Sequence, residues 1–268
     1  MAIEVFNRVE KKYLLDNRVY EMLLHKLEDY MEVDVYNKGN KLYSIANIYY
    51  DTPSDELIRN SLEQPVYKEK LRLRSYGVPK MEDQVFLEIK KKFGGVVNKR
   101  RTALVLSEAY QYLEDGKQPM ESSNINQQVL READVFLKRY CLLPKVFLAY
   151  DRIAFFGKED KDFRVTFDTN LRTRREDVRL EDGMDGIPLL EDGIWLMEVK
   201  ITKAAPLWFT HLLSEYRIYS TSFSKYGTEY KKYLLQQNLL KGEEKLCLNQ
   251  LLYQPMRQHY LFTQPYSV

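Results

Sequence analysis

Residues 66–105 read VYKEKLRLRSYGVPKMEDQVFLEIKKKFGGVVNKRRTALV. Three strand-like runs stand in this stretch, 66–76, 84–92 and 96–105, punctuated by Pro79 and by Gly94-Gly95. The glycine pair between the last two runs predicts a hairpin. Side chains alternate across a strand, so residues two apart share a face. Lys70, Arg72 and Arg74 therefore form one row, with Leu71 and Leu73 opposite. In the next run Phe86, Glu88, Lys90 and Lys92 oppose Val85, Leu87 and Ile89; in the third, Lys99 and Arg101 form a row. The stretch predicts a sheet with one apolar face and one charged, mostly basic face.

The pattern recurs along the chain. Glu10 and Lys12 share a face, as do Tyr150 and Arg152. Arg164, Thr166 and Asp168 oppose Val165 and Phe167, and Glu198 and Lys200 oppose Met197, Val199 and Ile201. Glu-x-Lys recurs at 10–12, 88–90 and 198–200. For any single strand the ordinary reading is a solvated outer face. Repetition argues otherwise, because surface strands usually intersperse the two signs, and like charges on one face repel. If the sheet closes into a barrel, one face must point inward. Charges there are poorly screened and costly to desolvate without partners. A bound polyphosphate and a metal would supply those partners, and arginine suits phosphate oxygens through paired hydrogen bonds.

Around these strands the sequence predicts inserted helices. Residues 3–15 read as a strand, and Asp16 as the cap of a helix over 17–31 carrying Val19, Leu23, Leu27 and Tyr30. A strand over 42–51 precedes a short helix from Thr52 to Leu62. Ser107 and Ser122 are expected to open two helices, the second with Val129, Ala133, Leu137 and Tyr140 on one face. Strands at 144–156 and 162–172 follow, then a charged loop over 173–193, a strand at 194–201, a helix at 206–217 and an ordered segment from Ser222 to Leu235. Short strands with helices between them indicate an α+β fold, not a parallel βαβ sheet. Residues 1–238 are expected to form one domain, and 239–268 a tail of open role.

Composition narrows the function. The chain has 268 residues, 44% hydrophobic and 30% charged, with a net charge of only +2. That is ample for a core, and too balanced for a general nucleic-acid binder, so no nucleic-acid partner is expected. Cys141 and Cys247 match no zinc or redox spacing, which fits a reduced, cytoplasmic setting. No signal-peptide pattern or membrane-length apolar run is seen; action at a membrane would require a membrane-anchored partner. His25, His211 and His259 are scattered, and neither a P-loop nor a Gly-x-Ser-x-Gly elbow occurs. Trp195 and Trp208 read as core, and Arg172, Arg174 and Arg175 as a solvated loop.

A set of short motifs carries a resemblance: Arg8-Val-Glu-Lys-Lys12, Tyr49-Tyr-Asp-Thr52, Leu71-Arg-Leu-Arg74, Phe86-Leu-Glu-Ile-Lys90, Lys99-Arg-Arg101, Tyr150-Asp-Arg152, Arg164-Val-Thr-Phe-Asp168, Met197-Glu-Val-Lys200 and Ser224-Lys-Tyr226. In this order the chain resembles the triphosphate tunnel metalloenzymes, and within them the catalytic domain of the vacuolar transporter chaperone (VTC) polyphosphate polymerases. The resemblance implies a closed antiparallel barrel with helices outside it. It implies phosphate-binding walls of Lys12, Arg72, Arg74, Lys90, Lys99, Arg152 and Arg164, with Arg101 and Lys200 alongside. Tyr150 and Arg152 stand where the family contacts the phosphate chain and nucleotide, and Ser224 and Lys225 at the tunnel mouth. Glu198 is the implied metal carboxylate, with Glu10 and Glu88 as further candidates for Mn²⁺ or Mg²⁺. Many hydrolytic relatives begin with Glu-x-Glu-x-Lys; here Arg8 replaces the first carboxylate. That departure favours a polymerase that uses ATP and polyphosphate. A triphosphatase and a non-catalytic polyphosphate binder are the alternatives.

Overall fold

The apolar rows of the strands select the layers. The structure, a computed structural model, describes residues 9–94, 96–120, 124–202 and 204–240. In chain order the strands are β1 (Val9–Asp16), β2 (Met31–Val33), β3 (Tyr43–Asp51), β4 (Tyr67–Tyr76), β5 (Gln84–Phe93), β6 (Val96–Val105), β7 (Leu143–Gly157), β8 (Arg164–Arg174), β9 (Ile187–Pro188) and β10 (Ile194–Ile201). The helices are α1 (Asn17–Tyr30), α2 (Glu56–Leu62), α3 (Leu106–Asp115), α4 (Gln127–Arg139), α5 (Leu207–Glu215) and α6 (Lys225–Leu240). The strands form one antiparallel sheet in the order β1-β10-β8-β7-β3-β4-β5-β6, with β2 on β7 and β9 on β8.

The outward face of β3, β4 and β5 buries Ile48, Leu71, Leu73, Val85, Leu87 and Ile89 against α3 and α4. Full burial of each such side chain contributes about 1.5–3 kcal/mol. On the other half, Val165, Phe167, Met197 and Val199 pack against α1 and α5 through Leu23, Leu27, Phe209 and Leu212. Both outer surfaces are thus occupied by helices, so the charged rows face inward.

The α+β architecture follows the sequence expectation, but the closed barrel does not. Among the described residues no ladder joins β1 to β6, so the hydrogen-bonded sheet is an open path. The sheet nevertheless curls until its ends approach: Lys90 of β5 lies within electrostatic reach of Glu10 and Lys12 of β1. The free edge of β1 is met by Thr221, whose N–H donates to the Lys12 carbonyl at 2.7 Å. Strand twist and tilt produce such curling without requiring every edge to pair.

Local chemistry fixes the helix starts. Asp16 caps α1 as expected, its carboxylate accepting from Val19 N at 2.8 Å. Ser107 does not open α3; the helix begins at Leu106, and the N–H groups of Leu106 and Ser107 donate to the carbonyls of Asp83 and Met81. The second expected opener, Ser122, lies outside the described residues, and Asn126 caps α4. Arg172 and Arg174 are not in a solvated loop. They close β8, and Arg174 donates to the carbonyls of Asp177, Arg179, Gly183 and Asp185, organising the loop itself. Residues 241–268 and Arg8 lie outside the described residues; α6 runs two residues into the expected tail.

α6 stands against one end of the concave face. There Tyr226 and Tyr230 join Ile45, Tyr49, Leu148, Tyr150 and Leu196 in an apolar cluster. Gly227 permits its close approach to α2: a Cβ there would meet Leu62 Cδ2 at 3.1 Å.

Candidate phosphate-binding site

The inward rows meet in two linked clusters. The first gathers β1, β7, β8, β10 and α6. Arg152 donates through Nε to Asp168 Oδ1 at 2.5 Å and through a terminal nitrogen to Oδ2 at 2.7 Å. Lys225 Nζ reaches Asp168 Oδ2 at 2.6 Å and Glu198 Oε1 at 2.9 Å. Lys12 Nζ lies 3.3 Å from Glu198 Oε1 and 3.5 Å from Glu10 Oε1. Burial alone would raise the Glu198 pKa, but Lys225, Lys12 and Arg152 outweigh it and hold this carboxyl well below its ordinary range. Burial also lowers the Lys225 pKa on its own, yet Asp168 and Glu198 reverse the sign and keep the ammonium charged.

The second cluster is built by β3, β4, β5 and β6. Glu88, 1% exposed, sits 2.7 Å from Arg72 Nε, 2.7 Å from Lys99 Nζ and 3.8 Å from Arg74 Nε. Its pKa, raised by burial, is brought far down by these three cations. Tyrosine hydroxyls and an amide complete the arginine shells. Arg72 donates to Tyr49 Oη at 3.1 Å; Arg74 donates to Asn47 Oδ1 at 2.9 Å and to Tyr150 Oη at 3.2 Å. Tyr150 links the clusters, because Lys225 and Arg152 stand over its ring at 4.5 and 5.1 Å.

A third group of cations has no such compensation. No ion pair joins Lys70, Lys90 or Lys200 to a carboxylate among the described residues. Desolvation, then Lys90 and its cationic neighbours, push the Lys70 pKa down to about 7. Desolvation and Arg152 lower Lys200 to about 8. Desolvation, Lys12 and Arg72 lower Lys90, although Glu10 opposes them. Arg164 has one long contact, 3.4 Å to Asp34 Oδ2, and its buried Nε has no hydrogen-bond partner among the described residues. Concentrated positive charge short of counter-charge is what an enclosed anion site requires.

Of the residues singled out from sequence, the structure brings Glu10, Lys12, Arg152, Glu198, Lys200 and Lys225 to one wall, and Arg72, Arg74, Glu88, Lys90 and Lys99 to the other, with Lys90 within electrostatic reach of Glu10 and Lys12. Tyr150 stands between them. Arg164 lies toward the rim, and exposed Arg101 stacks on Phe86 at 4.7 Å. Ser224 serves α6 locally, its Oγ accepting from Gly227 N at 3.2 Å. Sequence reasoning passed over Lys70, Asp168, Tyr49 and Asn47 as site residues. Lys70 and Asp168 already stood in the period-two rows; nothing local to Tyr49 or Asn47 pointed to arginine.

The donor set bears on a metal. No cluster of three His, Cys, Asp or Glu side chains suited to a metal exists among the described residues. Glu10 and Glu198 share Lys12 and repel one another, whereas Glu88 belongs to the opposite wall. Two carboxylates fit a hard cation that takes its remaining ligands from phosphate and water. They do not form an all-protein cage.

The VTC domain family matches residues 7–234. Among solved structures, a candidate adenylate cyclase from Bacillus halodurans aligns with a TM-score of 0.50 and 16% identity, over 81% of this chain and 95% of that one. A candidate adenylyl cyclase from Hippeastrum, described as having a dominant triphosphatase activity, aligns with a TM-score of 0.48 and 16% identity over 89% and 98%. At this identity the likeness to the first concerns the fold alone. No curated protein matches in sequence.

Proposed function

The chain belongs to the VTC domain family, and on that premise we propose that it is a polyphosphate polymerase working on its concave face. The observation that carries the reading is a set of inward cations short of counter-charge: Lys70, Lys90 and Lys200 have no carboxylate ion pair among the described residues, and Arg164 has a single long one, to Asp34. A run of linked phosphates would neutralise them. The two ion-paired clusters would fix the walls on either side, so that the cations need not reorganise during reaction.

In the proposed reaction a terminal phosphate oxygen of the growing chain attacks the γ-phosphorus of ATP. A new P–O–P bond forms, the bond to the β-phosphate oxygen breaks, and ADP leaves with the electron pair. Phosphoryl transfer demands alignment and charge neutralisation more than covalent help. Arg72, Arg74 and Arg152, held by Glu88, Asn47 and Asp168, would align the phosphates; Lys12, Lys90 and Lys99 would balance their charge. Arg101, Lys200 and Tyr150 would bind the chain along its path. Glu10 and Glu198 would hold Mg²⁺ or Mn²⁺ together with phosphate oxygens. When bound, such an ion neutralises phosphate charge and fixes the γ-phosphate orientation.

The test is product analysis. Incubation with ATP and Mn²⁺, followed by separation of long polyphosphate from free phosphate, should give polyphosphate and ADP. ADP and free phosphate without polyphosphate would assign water as acceptor and make the chain a triphosphatase on the same walls. Tight polyphosphate binding without turnover, unaffected by Glu198→Gln, would make it a binding protein.

A further inference from the structure

The inward rows of β3, β4 and β5 end in aromatic side chains at one edge of the sheet. Tyr43 opens β3, Tyr76 closes β4, and Phe86 stands two residues inside β5. These strands are neighbours and antiparallel, so all three rings come to the same edge. Tyr43 and Tyr76 have centroids 6.1 Å apart; Tyr76 meets Phe86 edge-on at 5.7 Å. Tyr76 is 50% exposed, so this is no core cluster. Two arginines frame it. Arg101 stacks on Phe86, and Arg164 couples electrostatically to both Tyr43 and Tyr76 from across the mouth.

The next inward residue on the Tyr76 row is Arg74, two positions deeper. Two residues along a strand span roughly 6–7 Å. Tyr76 therefore lies about one sugar's length from Arg74, the first arginine of the phosphate wall, and Phe86 is the cross-strand partner of Arg74 itself. Phosphates need no π-face, and a wall built for polyphosphate alone has no use for half-exposed rings at its end. A planar base attached to a phosphate chain does.

Resting on the phosphate-channel reading above, the geometry points to a nucleobase subsite in which Tyr76 stacks the base of a nucleoside triphosphate, bordered by Phe86 and its Arg101, with the phosphates entering toward Arg74. Stacking on aromatic and guanidinium planes is tolerant of base identity, because every base offers a π-face. The subsite accordingly recognises nucleosides as a class. It also gives the channel a direction, with the nucleotide entering at the Tyr76 edge and the polyphosphate lying beyond Arg74.

Calorimetric titration of the full chain with ATP and, separately, with inorganic triphosphate tests this. Tyr76→Ala should weaken ATP about tenfold, the scale of one lost stacking platform, and leave inorganic triphosphate unchanged. Tyr76→Trp should restore ATP. The unchanged triphosphate affinity also reports that the variant is folded. Equal loss for both ligands, or no loss for either, overturns the subsite. Wild-type protein that binds neither ligand overturns the phosphate-channel reading, and the subsite with it; triphosphate binding with no ATP effect overturns the subsite alone.

Discussion

Lys225 Nζ lies 2.9 Å from Glu198 Oε1, joining the first residue of α6 to the centre of β10. The carboxylate proposed to hold a metal is thus already engaged by an ammonium. That ammonium also satisfies Asp168, which is 0% exposed. Removing it by Lys225→Met would leave two buried carboxylates to share Arg152 and Lys12. Loss of one partner from a buried ion network costs about 3–5 kcal/mol. Urea denaturation should show a fall of that order; an unchanged midpoint would mean that α6 is not anchored by this contact.

Arg72 and Arg164 separate function from stability. Arg72 has Glu88 at 2.7 Å, whereas Arg164 has a longer ion pair, 3.4 Å to Asp34, and stands over the Phe156 ring at 4.7 Å. Arg72→Ala should lower both turnover and stability, because it strips a partner from a buried carboxylate. Arg164→Ala should lower ATP turnover by roughly 10²–10³-fold, as loss of one transition-state donor does, while leaving the urea midpoint unchanged or higher. Full activity in the Arg164 variant would remove it from the wall.

The lysines give a pH dependence with a definite sign. Lys70 titrates near 7 and Lys200 near 8 in the folded chain, against the ordinary 10.5. Between these values the unfolded chain binds more protons, so stability rises with pH. The ligand-free protein should therefore gain thermal stability from pH 7 toward about 9.5. Lys99, lowered to about 7 by burial and by Arg74 and Arg72 despite Glu88, is 36% exposed, and screening reduces its share. Inorganic triphosphate should restore the lysine charges and flatten the slope, and binding at pH 8 should take up protons. Calorimetry in buffers of different ionisation enthalpy measures that uptake; proton release would contradict the account.

Asp51 ties two helices to β3. Its carboxylate accepts from Leu57 N at 2.8 Å, Ile58 N at 2.9 Å and Tyr226 Oη at 3.0 Å. Tyr226→Phe removes one hydrogen bond, worth about 1 kcal/mol, whereas Asp51→Ala orphans buried donors at the start of α2 and should cost more, about 1–3 kcal/mol for each group left unpaired. Comparing the two variants by denaturation checks the order.

Chelation separates binding from chemistry. If Glu10 and Glu198 hold a divalent ion only together with phosphate, EDTA should abolish ATP turnover while inorganic triphosphate still binds to the cationic walls. Glu198→Gln should act in the same direction. Turnover that survives EDTA would dismiss the metal.

Much of the site is legible from alternation along single strands. Lys70, Arg72 and Arg74 stand on one face because a strand has period two, whatever surrounds it, and the order of such rows already marks the family. Capping by Asp16 is equally local. What alternation cannot express is which charge meets which. Lys12 and Glu198 are far apart in the chain, as are Tyr226 and Asp51 (175 positions), and their contacts depend on how far the sheet curls and where α6 enters. The same curl decides that β1 and β5 approach without a shared ladder, and strand register decides that Tyr43, Tyr76 and Phe86 meet at one rim. The sequence by itself determined the two faces of each strand, since those follow from neighbouring residues. Only the tertiary structure decided the pairing of charges and the shape of the space between them, because both depend on distances across the sheet that no local period records.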